Sequence, residues 1–237
     1  MLALPFTLIG CDGEQSLANA NATRLRVAPL EQVLTLEVRR EPPCALLSGV
    51  TATQNGVALR RLSVGKRSQP VFVDFAVPAG PAVCEGPTWE MLPSADIAPV
   101  TIVVEDASAR IIAEVPTEQP ADAGFNVVEP ASAIAHPGER VTVEWTPTND
   151  VLLAAPWSVR IATLVGGGAY VFNVTADGSR LSFAVPAADQ FSVFGPAELV
   201  IVGPADRHFT RCEGVPACTS PFNARNDGRK ASITISP

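Results

Sequence analysis

The sequence is short of the groups that surface chemistry usually draws on. Its 237 residues include two histidines, one tyrosine and three tryptophans, and only 17% are charged. Lysine and arginine total 17 against 24 aspartate and glutamate, a formal net charge of −7. No basic stretch is long enough to leave a nucleic-acid footprint. No glycine period is present, which excludes a collagen helix, and a hydrophobic fraction of 47% excludes wholesale disorder. With 22 prolines and 17 glycines, about one position in six breaks regular structure, so a long helical bundle or coiled coil is excluded as well. Familiar catalytic patterns are missing too: there is no G-x-S-x-G elbow, H-E-x-x-H helix, P-loop or C-x-x-C pair. What remains is ample apolar material for a core, cut into short segments by turn formers.

Residues 1–10 are uncharged and mostly apolar, and they run into Cys11 and then the polar stretch Asp12 to Ser16. Ten residues are too few to span a bilayer as a helix. Leu8-Ile9-Gly10-Cys11 resembles the lipobox of bacterial lipoproteins. The resemblance implies that residues 1–10 are a truncated signal peptide that is cut away, and that the thiol of Cys11 receives lipid such as palmitate. The partner so implied is a membrane, reached through an anchor rather than a span, in which each buried methylene contributes about 0.8 kcal/mol. No lysine or arginine precedes the apolar run, so the true start is expected upstream of Met1. The polar segment 11–23 reads as a flexible tether.

Three matches within the chain occur in the same order. Thr35 to Val38 resembles Thr142 to Trp145, Phe75 to Ala79 recurs identically as Phe183 to Ala187, and Thr101 to Val104 resembles Glu198 to Ile201. The spacing points to tandem duplication, with an extra loop in the first copy that holds Cys84 and Trp89. Without Cys11, four cysteines remain: Cys44, Cys84, Cys212 and Cys218. Four permit three pairings, which sequence alone does not separate. Two fall in each half, which favours Cys44 with Cys84 and Cys212 with Cys218.

Alternating apolar positions predict strands at Val33 to Val38, Val71 to Val77, Val100 to Val104 and Arg110 to Val115. In the second half they predict Arg140 to Trp145, Trp157 to Leu164, Tyr170 to Val174, Arg180 to Val185, Glu198 to Val202 and Ala231 to Ile235. No window shows a helical stripe with caps. The expected class is all-β: two tandem antiparallel β-sandwich domains at 24–116 and 126–237, joined by a linker at 117–125. The strand rhythm and the run Gly138 to Trp145 resemble immunoglobulin-like or fibronectin-like modules of bacterial surface proteins, although both cysteines of that half follow its tryptophans.

Few residues invite a chemical role. His136 reads as a turn histidine. His208 precedes Cys212 and Cys218, a set that would suit zinc or copper only if the thiols were free, and an oxidising compartment argues against that. Glu105, Asp106 and Asp122 read as turn acids without calcium spacing, and Gly166 to Gly168 as a hairpin loop. Arg60, Arg61, Lys66 and Arg67 flank a turn and suit either solvent or an acidic surface. Trp145 and Trp157 are expected in the core, which leaves Trp89 as the weak candidate for a ligand-stacking aromatic. No catalytic residue, metal site or cofactor is expected. The function this implies is a lipid-anchored, non-catalytic module of the bacterial cell envelope, periplasmic or surface-exposed, that binds an envelope protein or polysaccharide or acts as a spacer. The alternatives are a carbohydrate-binding accessory module, and an envelope hydrolase or metal-binding protein.

Overall fold

A computed structural model describes residues 13–39, 44–68, 83–93, 99–115, 122–154, 156–164, 166–171, 173–190, 194–226 and 231–237. Cys11 and the rest of the lipobox, the strand expected at Val71 to Val77, the first copy of the Phe-Ala-Val-Pro-Ala repeat and most of the linker lie outside these residues. Among the described residues the chain is all β, with three single-turn 3₁₀ helices and no α-helix, and its sheets are mainly antiparallel.

The first ten strands are β1 (Gly13–Glu14), β2 (Arg24–Ala28), β3 (Val33–Glu37), β4 (Ala45–Leu46), β5 (Thr51–Gln54), β6 (Val57–Ala58), β7 (Arg60–Ser68), β8 (Val83–Glu90), β9 (Val100–Glu105) and β10 (Arg110–Val115). Next come β11 (Gly124–Glu129), β12 (Ile134–Ala135), β13 (Arg140–Thr146), β14 (Val151–Leu152), β15 (Ser158–Thr163), β16 (Gly168–Val171), β17 (Thr175–Asp177), β18 (Arg180–Ala184) and β19 (Gly195–Asp206). Four short strands complete the chain: β20 (Arg211–Glu213), β21 (Cys218–Thr219), β22 (Pro221–Arg225) and β23 (Ala231–Ile235).

The chain forms two compact units. One comprises residues 1–117 with Phe209–Ser220, the other Glu118–His208 with Pro221–Pro237. In the first unit, one sheet runs β21-β2-β3-β8-β7 and another β20-β10-β9-β5-β6. In the second, one sheet runs β11-β13-β18-β17, and the other contains the path β12-β23-β19-β15-β16. Leaving out β12, β20 and β21, the two units have the same strand order: β2-β3-β8-β7 corresponds to β11-β13-β18-β17, and β10-β9-β5-β6 to β23-β19-β15-β16.

Alternation in the sequence explains how each sheet buries one face. In β9, Val100, Ile102 and Val104 are buried while Thr101, Val103 and Glu105 are not, and β10 alternates in the same way. These residues join Leu25, Val27, Leu34, Leu36 and Trp89 in the core of the first unit. The core of the second gathers Phe125, Trp145, Ile161, Leu181, Phe183, Leu199 and Ile201. There Phe125 meets Trp145 edge-on, with ring centroids 4.9 Å apart. The buried Asp150 carboxylate accepts hydrogen bonds from Trp145 Nε1 and the His208 amide, both 3.1 Å.

Residues 126–237, read from sequence as one domain, are divided between the units. Strands β19 and β22 form an antiparallel pair in the second unit, with Asp206 opposite Pro221. From the loop between them, Phe209–Ser220 packs into the first unit. There β20 pairs with β10, and β21 lies parallel to β2. Phe209, Val215 and Cys218 pack against the first core, and the Leu25 amide donates to Ala217 O at 2.9 Å. The edges of β10 and β2 would otherwise offer unpaired backbone groups, so this segment satisfies both.

The stretch read as a tether is also folded from Gly13 onward. Strand β1 lies parallel to β4, Leu17 and Ala20 are buried, and Glu14 accepts hydrogen bonds from the Ser48 amide and hydroxyl. Two apolar residues in a polar run, with these backbone and side-chain hydrogen bonds, dock it.

Candidate functional site

The structure places the sequence-derived candidates as follows. Cys44 is bonded to Cys84 and Cys212 to Cys218, so the thiols beside His208 in the sequence are not free ligands, and His208 itself is exposed. Among the described residues no group of three or more His, Cys, Asp or Glu is placed to hold a metal ion.

Trp89 is only 1% exposed, which removes it as a stacking platform. It sits on β8, opposite Leu34 of β3, and not in an inserted loop. Gly86 and Pro87 hide this strand in the sequence, because both usually interrupt one. Trp145 is fully buried. Trp157 packs partly buried against the same core, donating from Nε1 to Leu153 O at 2.6 Å. Gly166 and Gly167, with φ of 98° and 93°, turn the chain between β15 and β16 as expected. Of the basic positions, Arg60 pairs with Glu90 at 2.6 Å and Arg61 donates to Ser48 O.

Asp106 has a structural job. Burial, the largest single influence, pushes its carboxyl upward. Hydrogen bonds from the Leu17 amide (2.6 Å), the Ser108 hydroxyl and amide (both 2.7 Å) and the Ala109 amide (3.0 Å) outweigh it and hold the pKa at about 2, against an ordinary 3.8. The carboxylate thus closes the β9–β10 turn and pins the N-terminal segment. A lowered folded-state pKa gives stability that is complete above a pH of about 4 and is lost as pH falls through about 2. For this partly exposed group the contribution is about 1 to 2 kcal/mol. Unfolding free energies from urea titrations at pH 5 and pH 2.5, between which most of this contribution is lost, should show about 1 kcal/mol more acid sensitivity in the native chain than in Asp106→Asn. Equal sensitivity in the two proteins would refute the clamp.

The feature the sequence did not announce is the outer face of β16, β15, β19 and β23 in the second unit. Pairing sets its residues in three rows. Tyr170, Arg160 and Val200 stand opposite one another in the first row, and Gly168, Ala162, Glu198 and Ser232 in the second. Pro196, Thr234 and Ile134 form the third, joined by Leu164, whose amide donates to Pro196 O at 3.2 Å. Larger side chains flank a row of small ones and one carboxylate. Along β19 the flanking rows are four residues apart, about 13 Å between backbones. A groove of about 260 Å³ lies over part of this face, lined by Ser132, Leu164, Pro196, Glu198, Ser232 and Thr234 among others.

Exposure and charge set this face apart. Tyr170, the chain's one tyrosine, is 62% exposed, and Leu164 is 67% exposed. The Arg160 guanidinium lies 6.0 Å from the Tyr170 ring centroid, so one side of the ring is held and the rest is open. Several strand glutamates have arginine partners: Glu37 with Arg24 at 3.9 Å, Glu114 with Arg211 at 3.8 Å and Glu144 with Arg180 at 2.9 Å. Glu198 has none among the described residues. The sequence signal is weak, because Ala169 to Phe172 is a continuous apolar run that does not say which side Tyr170 faces.

No protein-family model, curated protein or solved structure matches this chain.

Proposed function

We propose that the chain is an exported bacterial envelope lipoprotein, anchored through an acylated Cys11, whose two immunoglobulin-like sandwiches act as a non-catalytic binding module. The observation that carries this reading is cysteine use. Two disulfides account for every cysteine except Cys11. Such bonds persist outside the reducing cytosol, which leaves the fifth cysteine for the role its Leu-Ile-Gly context suggests. The strand orders support the immunoglobulin-like part. In each unit one sheet follows the A-B-E-D order, and the other follows G-F-C with one further strand. The same order in both units supports tandem duplication.

Radiolabelled palmitate should enter the native protein and not the Cys11→Ser variant. Intact mass before and after reduction should reveal two disulfides. Protein recovered from the cytosolic fraction with residues 1–10 attached and five free thiols would overturn the proposal.

A further inference from the structure

We infer that the outer face of β16, β15, β19 and β23 is a binding site for oligosaccharides that carry free amino groups. This adds a ligand class to the binding role proposed above, but it does not depend on acylation of Cys11, and the two can fail separately.

Shape and charge act together on this face. Between the flanking rows, Gly168, Ala162, Glu198 and Ser232 floor a channel across the strands, and the groove over its β19–β23 end is lined by Glu198, Ser232 and Thr234. Adjacent strands are about 4.8 Å apart, so the channel crosses about 14 Å of sheet from β16 to β23, room for a short run of linked rings. Tyr170 supplies an open aromatic surface of the kind that packs against the apolar face of a pyranose, and Arg160 restrains its ring before any ligand arrives. Glu198 and Ser232 in the channel, with Thr234 on its wall, present a carboxylate and two hydroxyls that no neighbour among the described residues uses. Hydroxyls match the hydrogen-bonding groups of any sugar. The unpaired carboxylate selects a cationic one, because an ammonium there would supply the charge partner that Glu37, Glu114 and Glu144 already have. One carboxylate is too few to hold a metal ion, whereas it suffices for a single amine.

Calorimetry of the full chain at about 0.15 M salt, with glucosamine oligomers and their N-acetylated counterparts, tests the assignment. The amine-bearing oligomers should bind, and the acetylated ones should bind at least about tenfold more weakly. Tyr170→Ala and Glu198→Gln should each weaken binding of the amine form about tenfold or more. Asp189→Asn makes the same change in net charge at an exposed position outside this face and should leave the affinity unchanged. Circular dichroism confirms that each variant is folded. Absence of binding by the native chain would overturn the inference, as would an equal loss in Asp189→Asn, which would mean bulk attraction to an acidic protein. A lysine oligomer that binds as tightly and needs Glu198 but not Tyr170 would also overturn it, by making the face a peptide site.

Discussion

Replacing Phe209–Ser220 with an Asn-Gly turn is expected to unfold the first unit and leave the second folded. The second unit keeps its β19–β22 pair, because Asp206 and Pro221 are already opposite each other and a short turn joins them. The first unit loses the β20–β10 and β21–β2 pairings, the hydrogen bonds from the Leu25 amide to Ala217 O and from the Thr210 amide to Glu114 O, and the cover that Phe209 and Val215 give its core. Four or so hydrogen bonds at about 1 kcal/mol each, together with modest apolar burial, amount to about 4 to 6 kcal/mol. That is comparable to the whole stability of many domains. Hydrogen exchange followed by peptide should show lost protection in β2 and β10 with β13 and β19 unchanged. Uniform protection in both units would refute the dependence. Converting Cys212 and Cys218 to serine is the milder version, since a six-residue separation gives about 2 kcal/mol by loop entropy, against about 4 kcal/mol for the 40 residues between Cys44 and Cys84.

Gly86→Ala is expected to be nearly as damaging through a single methyl group. A Cβ at this position would overlap the carbonyl oxygen and carbon of Leu36, which are backbone atoms of the neighbouring strand β3 and have no rotamer to escape into. Relief requires β3 and β8 to separate, and these strands bury Leu34, Leu36 and Trp89 at the centre of the first core. The cost is about 3 to 5 kcal/mol, seen as a fall of about 2 M in the urea midpoint of that unit. Gly49→Ala is the matched control, because a Cβ there meets nothing within 4 Å. If the two variants unfold at the same urea concentration, the close approach of β3 and β8 is wrong.

The sequence was legible where alternation was clean. Arg110–Val115 and Ala231–Ile235 form strands with the expected ends, and Arg140–Thr146 differs by one residue. It was illegible where a strand contains breakers. Gly86 and Pro87 mask β8, and the repeat spacing assigns Trp89 to an inserted loop, whereas it lies buried on that strand. The assignment of Phe209–Ser220 was beyond reach for another reason: pairing partners about a hundred residues away on β10 and nearly two hundred away on β2 leave no local trace, and a short cysteine-bridged hairpin reads the same wherever it packs. The candidate binding face was half visible. A strand carrying Tyr170 could be read from the sequence, but its outward side could not, and the lateral alignment of Gly168, Ala162, Glu198 and Ser232 depends on register, which periodicity does not fix.

The chain passes between its units at three places, after residues 117, 208 and 220. A protease nick at any one of them leaves two covalent links intact. The same interleaving means that the first half cannot be shuffled as a cassette: a gene fragment ending at the linker would encode a unit with two bare sheet edges, and recombination would have to carry the distant segment with it.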